Sequence, residues 1–184
     1  MDFFAKVTRS DLVDKRELKT KRSIKNAFLK LRSQKDIEQI TLKEIAEQAE
    51  ISKATFYLHY RDIYDLSDTL GAEIMETILK EISNPNNIID DPAMFTRELV
   101  TAFIAQKNMV DILFSGSQSY KLVDNIERSI RGLVFELHPE YKENISFNLQ
   151  LSYRIKGGYY AFYDNLDKFE ISTLTEELCK IAGA

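Results

Sequence analysis

Residues Ile40 to Tyr60 read ITLKEIAEQAEISKATFYLHY, and their spacing predicts two short helices joined by a tight turn. Thr41 stands at the first helix start. Its hydroxyl can accept from the amide of Glu44, while the Glu44 carboxylate reaches back to the amide of Thr41, making a capping box. Ile40 and Ile45 bracket that cap as a hydrophobic staple, which fixes the angle at which the chain turns into the helix. Leu42, Ile45, Ala46 and Ala49 follow at helical spacing as one apolar face. Ser52 is a second N-cap so soon after Ala49 that a new helix must begin almost at once. The second helix, from Ser52 to Leu58, carries Lys53, Thr55 and Tyr57 around Phe56, which is expected to face the core. A helix, a turn of roughly three or four residues and a polar second helix form the helix-turn-helix pattern, whose second helix docks in the major groove of DNA.

The rest of the composition bounds the reading. At 184 residues, with 44% hydrophobic and 29% charged, the chain fits one large globular domain or two small ones. Six Gly and three Pro favour a mostly helical chain with few turns. No apolar run approaches the ~20 residues that span a bilayer. The first fifteen residues mix acids with bases and lack the apolar core of a signal peptide. One cysteine, Cys179, excludes an intrachain disulfide and a Cys-based zinc site. A cytoplasmic protein without membrane contact is expected.

Charge is distributed unevenly along the chain. Net charge is −4 overall, but residues 1–66 carry +3 and residues 67–184 carry −7. Within residues 15–35 nine basic side chains face one acid, Glu17. A basic N-terminal segment on an acidic body fits a chain that meets polyphosphate at one end, although a solvated helix face has the same composition.

The run Thr41-Leu42-Lys43-Glu44-Ile45-Ala46, then Ile51 to Tyr57, then His59-Tyr60, resembles the TetR family of bacterial transcriptional regulators. The resemblance extends back through Ile24, Ala27, Phe28 and Leu31 and forward to Leu66, roughly a third of the chain. It implies an all-α fold: a three-helix DNA-binding head at residues 1–66 and a helical body for dimerisation and ligand binding at residues 67–184. By that resemblance Lys21 and Arg22 approach the DNA backbone, and His59 and Tyr60 match the family's backbone-contacting aromatic pair. The full DNA-facing set is Lys21, Arg22, Thr41, Lys43, Ser52, Lys53, Ala54, Thr55, Tyr57, His59 and Tyr60. Lys53 can reach a base edge or a phosphate, and the Tyr57 hydroxyl is a phosphate donor. For Lys21, Arg22 and His59, ordinary surface residues are the alternative.

Three positions depart from the family pattern. Asp36 and Glu50 occupy turns where the family often has Gly, so either a left-handed non-glycine or a reshaped turn is required. Ile63 replaces a lysine that commonly contacts the backbone, which removes about one unit of salt slope.

Outside the head, helical spacing predicts a first helix over ~14–34 with Leu18, Ile24, Ala27, Phe28 and Leu31 near one face. A lever helix capped by Asp62 follows, with Leu66, Leu70, Ile74, Ile78 and Ile82 in register. Ser83 to Asn87 is a linker. Asp91-Pro92 starts another helix, with a short one through Val110–Phe114 next. Helices over ~Tyr120–Leu137, ~Ile145–Leu166 and ~Thr173–Ala182 complete the body, the last with a capping box from Thr173 and Glu176 and an apolar stripe of Leu174, Leu178 and Ile181. Leu137 is placed inward. His138 falls in a loop.

The family reading puts a four-helix dimer interface on the last two helices, with Gly157, Gly158, Ala161, Leu174 and Leu178 as its candidates. Close packing inside one subunit would equally suit the glycines. Phe103, Phe114, Tyr120, Phe135 and Tyr159 are candidate walls of a pocket for a small apolar ligand, with ordinary core aromatics as the alternative. No phosphate loop, HExxH, GxSxG or CxxC occurs, and two isolated histidines make no triad, so neither an enzyme, a cofactor nor a metal is expected. The expected molecule is a homodimeric, ligand-responsive repressor on a palindromic double-stranded operator. The alternative is a coactivator or adaptor whose body binds a partner protein.

Overall fold

The computed structural model describes residues 9–184, with side chains from residue 15 onward. The leader reading and the start of the expected first domain fall partly outside the described residues. Among the described residues all regular structure is helical. The chain divides into two compact units, the first ending at Leu70 and the second beginning at Gly71.

The first unit contains α1 (Arg9–Arg32), α2 (Leu42–Gln48), α3 (Lys53–Tyr57) and the start of α4 (Ile63–Lys80). A 3-10 turn, Ile37–Gln39, links α1 to α2. The core of this unit is built from Ile24, Phe28, Leu31, Ile37, Ile45, Phe56 and Leu66, each almost wholly enclosed. Leu18, expected on the same face of α1, is exposed instead. Six residues before Ile24, more than a turn and a half away, the helix has run beyond that core.

The loop after α1 is held from inside. Arg32 is buried and its guanidinium donates to the Lys35 carbonyl at 2.9 Å. Lys35 pairs with Glu44 at 2.6 Å. Two of the basic residues that made this segment look like a phosphate surface therefore serve the head's own loop. Asp36 has φ −66° and ψ 154°, so the chain turns here without a left-handed residue.

The second unit adds a short α5 (Asn87–Asp90), then α6 (Pro92–Ala105), α7 (Lys107–Leu113), α8 (Lys121–Leu137), α9 (Ile145–Tyr163) and α10 (Ile171–Ala182). The stretch expected as linker, Ser83 to Asn87, thus ends where α5 begins. The Asp91 carboxylate caps α6 by accepting from the Met94 amide, with Pro92 at the first helical position. Ile82, Phe95, Ile130, Val134 and Leu151 form the apolar core, with α6 packed on α10 and α8 on α9.

Three expectations for this unit need correction. The Thr173–Glu176 capping box does not form, because α10 starts earlier: Glu170 is its N-cap and the Leu174 amide donates to the Glu170 carbonyl. Thr173 already lies inside the first turn. Leu137 is exposed at the end of α8, where His138 has left the helix, and Ile181 is exposed at the end of α10.

A polar clamp ties α8 to α9. Arg131 donates to Asn148 Oδ1 at 2.6 Å and to Ser152 Oγ, while Ser152 donates to Glu127 at 2.6 Å and Lys156 pairs with Glu127 at 3.0 Å. The Glu127 carboxyl falls to about 2, chiefly through the Ser152 hydroxyl and then Lys156 and Arg131, against the opposing effect of its enclosure. Among the described residues no helix is long and apolar enough to cross a membrane.

Candidate functional site

The turn between α2 and α3 folds as its residues dictate. Thr41 Oγ1 accepts from the Glu44 amide at 3.3 Å, and Glu44 Oε2 accepts from the Thr41 amide at 2.9 Å, so the capping box is complete. Hydrogen bonds from Lys35 and then from the Thr41 amide and hydroxyl hold the Glu44 carboxyl at about 2. Ile40 and Ile45 are both buried, as the staple requires. Between the helices, Glu50 adopts φ 55°, the left-handed region. A non-glycine residue there costs roughly 1–2 kcal/mol, and the turn is kept by the Ile51 amide, which donates to the Ala46 carbonyl at 3.0 Å. Ser52 then caps α3 by accepting from the Thr55 amide at 3.0 Å.

Burying Phe56 decides which way α3 faces. With Phe56 enclosed, Lys53, Ala54 and Tyr57 are left exposed. The Thr55 hydroxyl sits 2.8 Å from Ser52 Oγ, so it helps secure the helix start. His59 is half-buried. Tyr60 is 6% exposed and its ring lies 5.7 Å from that of Phe56. The structure therefore makes Tyr60 a core aromatic that braces the helix, and does not place its ring among the exposed residues of α3. Lys43 and Arg22 are exposed; Lys21 is engaged by Glu17 at 2.9 Å.

One residue missing from the sequence expectation is Leu58, 81% exposed immediately after α3. Ala54, Tyr57 and Leu58 are spaced i, i+3, i+4 and so share one helical face. That spacing was available in the sequence, but a leucine at a helix end reads first as core. An exposed apolar side chain beside a lysine and a tyrosine can touch a thymine methyl while its neighbours reach base edges and phosphates.

The family model for bacterial regulatory proteins of the tetR family matches residues 26–69, from within α1 into α4. Over those residues the chain is similar to the tetR family. Over 59 residues the chain is also 36% identical to an uncharacterized HTH-type transcriptional regulator, YxbF, of Bacillus subtilis (strain 168). That stretch is 32% of this chain and 16% of the relative, so the chain spans about a sixth of the length of the curated relative it matches. Of the three departures from the tetR pattern, Glu50 accepts the left-handed turn, Asp36 reshapes its turn, and Ile63 begins α4 with the exposed Arg61 two residues before it.

In the second unit a cavity of about 540 Å³ opens among α4, α6, α8, α9 and α10. That volume lies within the roughly 300–1,000 Å³ of small-molecule sites. Phe103 and Tyr159 are on its wall. Burial, with the neighbouring Tyr163, Tyr160 and Asp164 acting in the same direction, pushes the Tyr159 phenol up to about 12. The other expected wall residues lie elsewhere. Phe114 is buried with its ring 3.0 Å from where a Cβ on Gly71 would stand. Phe135 packs on the core cluster, 6.0 Å from the Arg131 guanidinium. Tyr120 is 65% exposed at the start of α8.

The small residues of α9 are uncovered. Gly157 and Gly158 stand on the cavity wall, and a Cβ added to either would meet nothing within 4 Å among the described residues. Ala161 is exposed beside them. Ile145, Leu149, Tyr153 and Tyr160 are exposed along one face of the same helix. Leu174 is half-buried, and Leu178 is buried at the cavity wall.

Proposed function

We propose that the protein is a sequence-specific, double-stranded-DNA-binding transcriptional regulator of the cytoplasm. Residues 1–66 form its DNA-binding domain, and residues 67–184 form its regulatory and dimerisation domain. The observation that carries this reading is the orientation of α3: Phe56 buried, with Lys53, Ala54, Tyr57 and Leu58 presented together to solvent. Lys53, Tyr57 and Leu58 contact bases or phosphates; Arg22 and Lys43 add backbone contacts; Thr41, Ser52 and Thr55 hold the frame.

The uncovered face of α9 supports a homodimer built on α9 and α10. Gly157, Gly158 and Ala161 would admit a partner helix closely. A two-fold dimer reads a palindromic operator with half-sites about 34–36 Å apart or a multiple of it. The cavity supports a small-molecule effector that favours one arrangement of the two heads and so shifts the population between DNA-bound and free states. Repression relieved by that effector is the mode this arrangement serves.

Fluorescence titration of the full chain against DNA flanking its own gene, at two salt concentrations, is the test. A salt-sensitive complex that competitor DNA does not displace, weakened by Tyr57→Ala with helicity intact, is expected. Absence of any specific complex would sink the regulator reading. A monomer at micromolar concentration would remove the dimer and favour a protein adaptor whose α9 face takes a different partner.

A further inference from the structure

The wall of the body cavity carries a single formal charge. Phe95, Leu99, Phe103, Ile130 and Phe162 are typical of its lining, and no Asp, Glu, Lys or His stands among the wall residues. The charged wall residue is Arg154 of α9. Arg154 is exposed, and among the described residues it makes one hydrogen bond, from Nη1 to the Ala182 carbonyl at 3.3 Å. A guanidinium has five N–H donors, so most of its capacity is directed to no group among the described residues. Tyr153, Tyr159 and Tyr163 are also among the wall residues, and the Tyr159 phenol remains a protonated donor throughout the physiological range.

We infer that this cavity takes an amphiphile with an apolar tail and an anionic head, the tail among the phenylalanines and the head on Arg154. The inference rests on reading the cavity as an effector site and adds the chemical class of its occupant. The charge pattern is what selects. An organic cation would lose its water against an apolar wall with no carboxylate to receive it, and would meet Arg154 with like charge. A neutral molecule of the same shape would bury the same apolar area and leave the guanidinium unused. A carboxylate gains charge-assisted hydrogen bonds that are shorter and stronger than neutral ones. The hydrogen bond to Ala182 explains Arg154 as an end cap for α10, but it occupies only one donor.

Three ten-carbon probes share a tail and differ in the head: decanoate, decanol and decyltrimethylammonium. Calorimetric titration of the full chain below their micellar concentrations should find decanoate binding about tenfold more tightly than decanol, with the ammonium weakest. Arg154→Gln should bring decanoate down to the level of decanol and leave decanol unchanged. Ile130→Trp, which fills the cavity, should weaken both. The inference is overturned if the ammonium binds as well as decanoate, or if Arg154→Gln leaves the anion preference intact. Decanol binding without any preference for the anion would defeat the class alone. Failure of all three probes to bind a chain shown folded by circular dichroism would remove the effector site as well.

Discussion

In the head, Ile24, Phe28, Ile45, Phe56 and Leu66 fill a small core with almost no exposed surface, and α2, α3 and α4 each start at a capping side chain, Thr41, Ser52 and Asp62. In the body, longer helices surround an open apolar cavity, and the aromatic face of α9 is left to solvent. The difference is one of closure. The head satisfies its apolar surface locally and exposes a deliberate set of polar and apolar contacts on α3. The body retains apolar surface that burial would stabilise further, at about 25 cal/mol per Å².

Deleting a core side chain from each region gives the widest expected contrast. Phe56→Ala removes a fully enclosed ring and should cost about 3–5 kcal/mol, abolishing DNA binding with it. Phe103→Ala, half-buried at the cavity wall, should cost about 1 kcal/mol or less. Urea unfolding of both variants measures this, and equal losses would show that the cavity wall is packed as tightly as the head.

Gly157→Ala and Gly158→Ala sharpen the contrast on the open side. Each added methyl meets nothing within 4 Å among the described residues, so the isolated chain should gain about 1 kcal/mol of helix stability per substitution. A dimer that needs close approach at α9 should dissociate more readily at the same time. Urea unfolding combined with light scattering across a dilution series separates the two effects. Gain in stability with unchanged association would place the dimer contact elsewhere.

Glu50→Gly relieves the left-handed turn of the head. Relief of roughly 1–2 kcal/mol is offset by about 0.4–1 kcal/mol of extra freedom in the unfolded chain. A rise in thermal midpoint is therefore expected, together with tighter DNA binding once the carboxylate is gone. An unchanged or lower midpoint would mean that the Glu50 side chain contributes to the turn.

The acid response compares a strongly shifted carboxylate from each region. Glu44 and Glu127 are both held at about 2, below the ordinary value of 4.5. A carboxylate depressed in the folded state contributes stability that is complete above its unfolded value and is lost as pH falls through the folded one. Both contributions should therefore disappear between pH 4.5 and about 2. Glu127 is the more enclosed, with its side chain 14% exposed; Glu44→Gln should flatten the acid response of the head and Glu127→Gln that of the α8–α9 clamp. Carboxyl NMR titration of each variant checks the assignment, and a Glu127 midpoint near 4.5 would break it.

The sequence by itself determined the local geometry of the helix starts and of the α4 register. Thr41, Glu44, Ser52 and Asp91 act within a few residues of themselves, so their caps were legible from spacing alone. The register of Leu66, Leu70, Ile74, Ile78 and Ile82 was legible for the same reason, because one helix face repeats regardless of what packs on it. Only the tertiary structure decided what depends on distant residues. Tyr60 became core because Phe56 offered it a ring to pack on, and Leu58 became surface because α3 was already fixed by Phe56. Thr173 lost its capping role to a helix that starts two residues earlier. Arg32 turned inward to hold the Lys35 carbonyl. The helix-turn-helix at residues 40–60 was written in short-range chemistry; the cavity beside Arg154 exists only where five helices, far apart in the chain, fail to close over one another.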